Sequence, residues 1–232
     1  RLEAAVGADT PDRLVTRTWD TSLNAVFDTK TEGHASVVLS PGERGCCMSH
    51  RCIWDLVASR PDSSPPLLVL EDDAVLAPHF ASLLPRIICS MNATWVEPSS
   101  RQLVLYLCAD VAKWCGQPLE VEPGLAVRES SYQWQTAAYV IWPAAARALL
   151  VNATPIDCPI DVYMARATLT REIRSFITMP QLARQAAPFQ NGDILHSNFY
   201  KPHVHVDDEL RAALEANQAS LSSTTRESGL DG

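Results

Sequence analysis

Leu67-Leu68-Val69-Leu70-Glu71-Asp72-Asp73-Ala74-Val75-Leu76 joins four uninterrupted aliphatic residues to three consecutive carboxylates. With no polar residue among them, Leu67 to Leu70 read as a β-strand buried on both faces. Glu71, Asp72 and Asp73 then fall where the strand leaves the core, and ligands of open α/β sheets gather at the carboxyl ends of strands. Three adjacent negative charges repel one another, so the pattern points to a divalent cation and, through it, to phosphate. On an extended strand Glu71 and Asp73 point to one side and Asp72 to the other, which offers two carboxylates to one ligand. The plain alternative is a solvated acidic loop.

Elements of both kinds flank this strand. A short strand is expected at Ala35 to Leu39. Ser40-Pro41-Gly42-Glu43 is a helix start, with a capping Ser, Pro at the first position and Glu three residues on. That helix should run to about Ala58, where the Pro- and Ser-rich segment Pro61 to Pro66 turns the chain into the acidic strand. Helices are expected at Pro78 to Met91, Pro143 to Val151 and Asp157 to Leu169. Strands are expected at Gln102 to Leu107, Gln135 to Trp142 and Ile173 to Thr178. Cys108 to Gly124 reads as an ordered loop of irregular structure. Alternating strands and helices predict an α/β fold with a mainly parallel central sheet flanked by helices. One domain over residues 1–206 is expected, then a helix and disordered tail over 207–232.

The whole-chain numbers are those of an ordinary globular domain: 232 residues, 47% hydrophobic and 20% charged. A formal charge of −8 argues against nucleic acid as a partner. No apolar run is long enough for a membrane span, and neither a signal peptide nor an initiating Met opens the chain. Seven cysteines without a C-x-x-C spacing argue against a zinc ribbon, though Cys108 and Cys115 could close a short loop. Asn92-Ala93-Thr94 and Asn152-Ala153-Thr154 permit N-glycosylation in a secretory lumen.

Three further stretches carry candidate chemistry. At the helix start, Gly45 permits close backbone approach, and exposed amides there favour an anion, with Ser49, His50 and Trp54 following. The alternative is a capped helix with a buried Ser-His pair. Thr136-Ala137-Ala138-Tyr139 sets small residues and a hydroxyl in a strand, which suits a ligand or, more simply, tight packing. Asp157 and Asp161 are four apart and would share a helix face, where either could act as a general base. His196, His203 and His205 form a loose late cluster.

Together these stretches resemble glycosyltransferase family 25, which includes lipooligosaccharide and collagen hydroxylysine galactosyltransferases. The resemblance rests on GERGCCMSHRCIW (residues 42–54), LLVLEDDAVL (67–76), QTAAYVIWPAAARALL (135–150), PIDVYM (159–164) and PQLARQ…GDI (180–194), with RLEAAVGAD similar to an early family segment. It implies a GT-A-like nucleotide-binding fold and inverting transfer from a UDP-sugar, typically UDP-galactose, with manganese as cofactor. Asp73 would touch the metal, with Asp72 and Glu71 beside it. Gly45, Ser49, His50, Glu71, Asp72 and Thr136 would line the donor site, and Asp157 or Asp161 would be the catalytic base. The acceptor would be a glycan or a hydroxylated protein. The compartment would be the ER or Golgi lumen in a eukaryote, and the cytoplasm or membrane periphery in a bacterium.

Two departures stand out. The strand and Asn-Leu, arginine-rich turn that normally open the family are missing before Arg1, so the resemblance implies a sheet without that edge and without part of the donor pocket. The family's Gly-Thr reads Gln135-Thr136 here. Two rival readings remain. A metal-dependent phosphatase would need Asp where Glu71 stands as nucleophile. A non-catalytic relative would keep the fold as an adhesion or scaffold module.

Overall fold

Ser40 and Glu43 close a capping box: the Ser40 hydroxyl accepts from the Glu43 amide at 3.2 Å, and the Glu43 carboxylate accepts from the Ser40 amide at 2.7 Å. With Pro41 in the first turn, the helix runs over Pro41–Ala58 as its sequence predicts. The computed structural model describes residues 2–20, 36–95, 97 and 100–186. In chain order the elements are β1 (Thr18–Asp20), β2 (Ser36–Val38), α1 (Pro41–Ala58), β3 (Leu67–Leu70), β4 (Ala74–Leu76), α2 (Phe80–Thr94), β5 (Leu103–Tyr106), β6 (Asp110–Glu122), β7 (Leu125–Trp134), β8 (Ala138–Ile141), α3 (Pro143–Val151), α4 (Ile160–Leu169), β9 (Arg174–Met179) and β10 (Ala183–Gln185).

Among the described residues six strands form the central sheet in the order β3-β8-β5-β9-β7-β6. The α/β class holds, but the expected mainly parallel sheet does not. Only β5 and β9 run parallel, and the other four pairs are antiparallel. The reason lies between β5 and β8, where the chain returns through the β6–β7 hairpin with no helical crossover. That hairpin corrects a second expectation, since β6 occupies the stretch read as irregular loop. Its pairing with β7 slips register at several points, and no residue of it is buried. Gly116, Pro118 and this exposure erase the alternation by which a strand is recognised.

Alternation sorts the core into two layers. In β5, Val104 and Tyr106 join the cluster under α1, α3 and α4, while Leu103 and Leu105 join the cluster under α2. All four residues of β5 and of β8 are buried, so these are the strands covered on both faces. β3 corrects the sequence reading: it lies at the sheet edge, buries only Val69 and leaves Leu70 43% exposed.

The segment before β1 lies against α1 at backbone distance. A Cβ on Gly7 would stand 1.5 Å from the Pro41 carbonyl oxygen, and one on Gly45 would stand 2.7 Å from that of Ala5. Arg44 is buried in this seam. Its guanidinium donates to the carbonyls of Gly7, Thr10 and Val15, and to Asp12 Oδ1 at 2.7 Å. A parallel bridge between Val15 and Ile156 carries the segment on to the approach of α4. The expected helix and tail over 207–232 lie outside the described residues, as do His196, His203 and His205.

Candidate functional site

Cys46, His50 and Trp54 follow one another at four-residue intervals, so α1 presents them on one face. That face meets Tyr139 of β8 and the end of β3. Trp54 Nε1 donates to the Tyr139 hydroxyl at 3.2 Å, and that hydroxyl lies 2.8 Å from His50 Nδ1. On the other side of the ring, His50 Nε2 lies 3.1 Å from Glu71 Oε1, which also accepts from the Thr136 hydroxyl at 2.7 Å. The Nε2 proton is shared with the Glu71 carboxylate, and the Tyr139 hydroxyl can serve Nδ1 as either donor or acceptor. The His50 and Tyr139 rings stack with centroids 5.6 Å apart.

Burial is the largest influence on the Glu71 carboxyl and raises its pKa. The hydrogen bond and charge of His50, with the Thr136 hydrogen bond, outweigh it and leave the carboxyl below its ordinary value of 4.5. A depressed carboxylate contributes stability above its unfolded pKa and loses it as pH falls through the folded value. Urea unfolding across the acid range is therefore expected to show a loss of stability beginning below about 4.5 that a Glu71→Gln chain lacks. Matching acid profiles for the two chains would refute this reading.

Asp73 is placed differently. Its Oδ2 accepts from Gln185 Nε2 at 2.7 Å, and its backbone carbonyl accepts from the Ala186 amide at 2.8 Å. Its Oδ1 is buried with no hydrogen-bond partner among the described residues. Asp72 is exposed beside it. Asp110, which the sequence reading missed, acts with its charge on the same Cys108 thiol as Glu71 and Asp73 do. Burial and then the charges of Glu71, Asp110 and Asp73 push the Cys108 thiol up to about 11. Three carboxylates thus act on one spot, and no local sequence signal marks the fourth-element contribution from β6. Cys108 and Cys115, considered as a loop-closing pair, are both free thiols.

Gln135 takes φ 78, a left-handed conformation, at the position where the family pattern has glycine. Its side chain reaches Asp110 Oδ2 at 2.6 Å. Gln135→Gly is expected to raise the unfolding free energy by up to about 1 kcal/mol, since the left-handed cost exceeds that of an exposed hydrogen bond. A lowered melting temperature would contradict this.

The remaining candidates divide. Thr136 and His50 join the network around Glu71, whereas Gly45 and Ser49 serve chain packing. Ser49 accepts from the Ala5 amide and donates to the Gly45 carbonyl, both at 2.9 Å. The close approach that Gly45 allows is to backbone rather than to an anion. Ala137 and Ala138 are fully packed, which bears out the simpler reading of that stretch. Asp157 and Asp161 do not share a helix face, because α4 begins at Ile160 with Pro159 as its cap. Asp157 instead forms a two-pronged pair with Arg166. Asp161 lies in the first turn, and its charge reaches Cys46, Cys47 and Tyr106, on the network's side of the helix. A recess of about 200 Å³ beside Arg166 shares no residue with the acidic turn. Of the two sequon asparagines, Asn92 accepts from Trp142 Nε1 at 3.0 Å and Asn152 donates to Glu172. Among the described residues no helix is long and apolar enough to cross a membrane.

Residues 5–164 match the family described as glycosyltransferase family 25 (LPS biosynthesis protein). A human relative named inactive glycosyltransferase 25 family member 3 is 33% identical over 128 residues, which is 54% of this chain and 20% of that protein. The mouse protein of the same name is 30% identical over 159 residues, 62% of this chain and 26% of its own length. The chain thus spans about a quarter or less of the length of these relatives. The family match takes in α1, β3, the acidic turn, β8 and the first turn of α4, from which the Glu71 network and Asp161 are built, and the chain belongs to glycosyltransferase family 25.

Proposed function

We propose that this chain is the donor-binding part of a glycosyltransferase that moves a sugar, in the simplest case galactose, from a UDP donor to a hydroxyl of a glycan or hydroxylated protein, with inversion. The observation that carries this reading is the buried Oδ1 of Asp73, which has no partner among the described residues. A carboxylate oxygen withdrawn from water without a donor is costly, and a cation relieves that cost. Asp73 and the exposed Asp72 would hold a divalent ion, manganese in the family pattern, whose chemistry is to neutralise charge on a leaving diphosphate. Glu71 is turned toward His50 and Thr136, so it is assigned to the inner wall rather than to contact with this diphosphate-bound ion. Asp161 is assigned as the base for the acceptor hydroxyl, because it stands in the first turn of α4 and its charge reaches Cys46 and Tyr106 beside the Glu71 network.

A second reading has its own support. Both relatives bear the word inactive in their names, which favours a domain retained for its fold. Titration calorimetry of the chain with UDP, with and without manganese, separates the two. Manganese-dependent binding supports the transferase, and equal absence of heat in both titrations supports the scaffold.

A further inference from the structure

We propose that Cys46, His50 and Glu71 form a three-ligand site for a zinc-type divalent ion, separate from the oxygen-only pair Asp72 and Asp73. One ligand atom from each of the three lies within 4.8 Å of the others. Two atoms on one tetrahedral ion are about 3.3–3.6 Å apart for bonds of about 2.0–2.3 Å. His50 Nε2 and Glu71 Oε1 already stand at 3.1 Å, close to that separation.

Three features suit the site to an ion. Cys46 and His50 sit one turn apart on a rigid helix, the spacing by which helices present paired metal ligands. The imidazole is held from behind by Tyr139 at Nδ1, the outer support that orients a ligating histidine. His50 is 3% exposed, whereas the Glu71 side chain is 24% exposed, which leaves the fourth coordination position on the solvent side. A thiolate, an imidazole and a carboxylate select zinc and similar ions over manganese and magnesium, which favour oxygen. Binding releases the Cys46 thiol proton to solvent and needs Nε2 free of its proton, with Nδ1–H then donating to the Tyr139 hydroxyl oxygen, so affinity falls in acid. The site stands whether or not the chain transfers sugar.

The test is anaerobic titration of the chain with cobalt(II) alone, followed by electronic absorption. The expected result is a thiolate-to-cobalt charge-transfer band with the intense visible bands of a tetrahedral ion, saturating at one ion per chain. Cys46→Ser should abolish the charge-transfer band, Glu71→Gln should weaken cobalt binding by about tenfold or more, and Asp73→Asn should leave the spectrum unchanged. No charge-transfer band, a band that survives Cys46→Ser, or one lost in Asp73→Asn would each overturn the proposal. Alkylation mapping of the unmutated chain avoids dependence on variant folding. Zinc must slow modification of Cys46 while leaving exposed Cys52 unchanged, and equal rates with and without zinc would also overturn it.

Discussion

An Asp73→Asn chain is expected to lose manganese-dependent UDP binding altogether while melting at or above the temperature of the parent. The two halves have one cause. Asp73 Oδ1 is a buried acceptor with no donor among the described residues. Removing the negative charge therefore relieves the fold, and Asn can still accept from Gln185. The same change removes the anionic oxygen proposed to hold the ion, and loss of such a ligand weakens metal-assisted binding by several kcal/mol. Calorimetry with UDP and manganese, paired with thermal melting, checks both halves. A residue whose replacement steadies the fold but abolishes binding is there for binding. Parental affinity in the variant would remove Asp73 from the site.

The largest effect on stability is expected at Arg44. Arg44→Met should lower the unfolding free energy by about 1–3 kcal/mol, the cost of leaving buried acceptors without their donor. Methionine preserves the stem, so packing changes little. What disappears is the fan of donors that satisfies the carbonyls of Thr10 and Val15 and pairs with Asp12. Those oxygens stay covered by the seam between the opening segment and α1, so their desolvation is no longer offset. Urea unfolding measures the loss, and limited proteolysis should cut first within residues 2–16. A change below about 1 kcal/mol would mean that water reaches the seam.

Local chemistry made much of the fold readable from the chain. Ser40, Pro41 and Glu43 fix the start of α1, and Pro143 fixes that of α3, because caps act within a few residues. Pairing direction was not readable. Antiparallel return from β6 to β7 depends on a hairpin whose strands lack buried alternation on one arm. At the site, the acidic turn and His50 were visible as residue types, but their partners were not. Gln185 reaches Asp73 across 112 positions and Tyr139 reaches His50 across 89. Such pairings follow from strand order, which the wrong parallel expectation had already obscured. The pairing of Asp157 with Arg166 was hidden because the helix begins three residues later than its acidic spacing suggests.

β3 borders the six-stranded sheet and has one described neighbour, β8. Amides on the outward rim of such a strand trade hydrogen for deuterium soon after dilution, while those of β5, flanked on both sides, wait for global opening. The acidic turn is therefore mounted on an outer rung of the described ladder. Any occupant gripping Asp72 and Asp73 would report itself as slowed deuteration along Leu67–Leu70, with the interior of the sheet keeping its original rate.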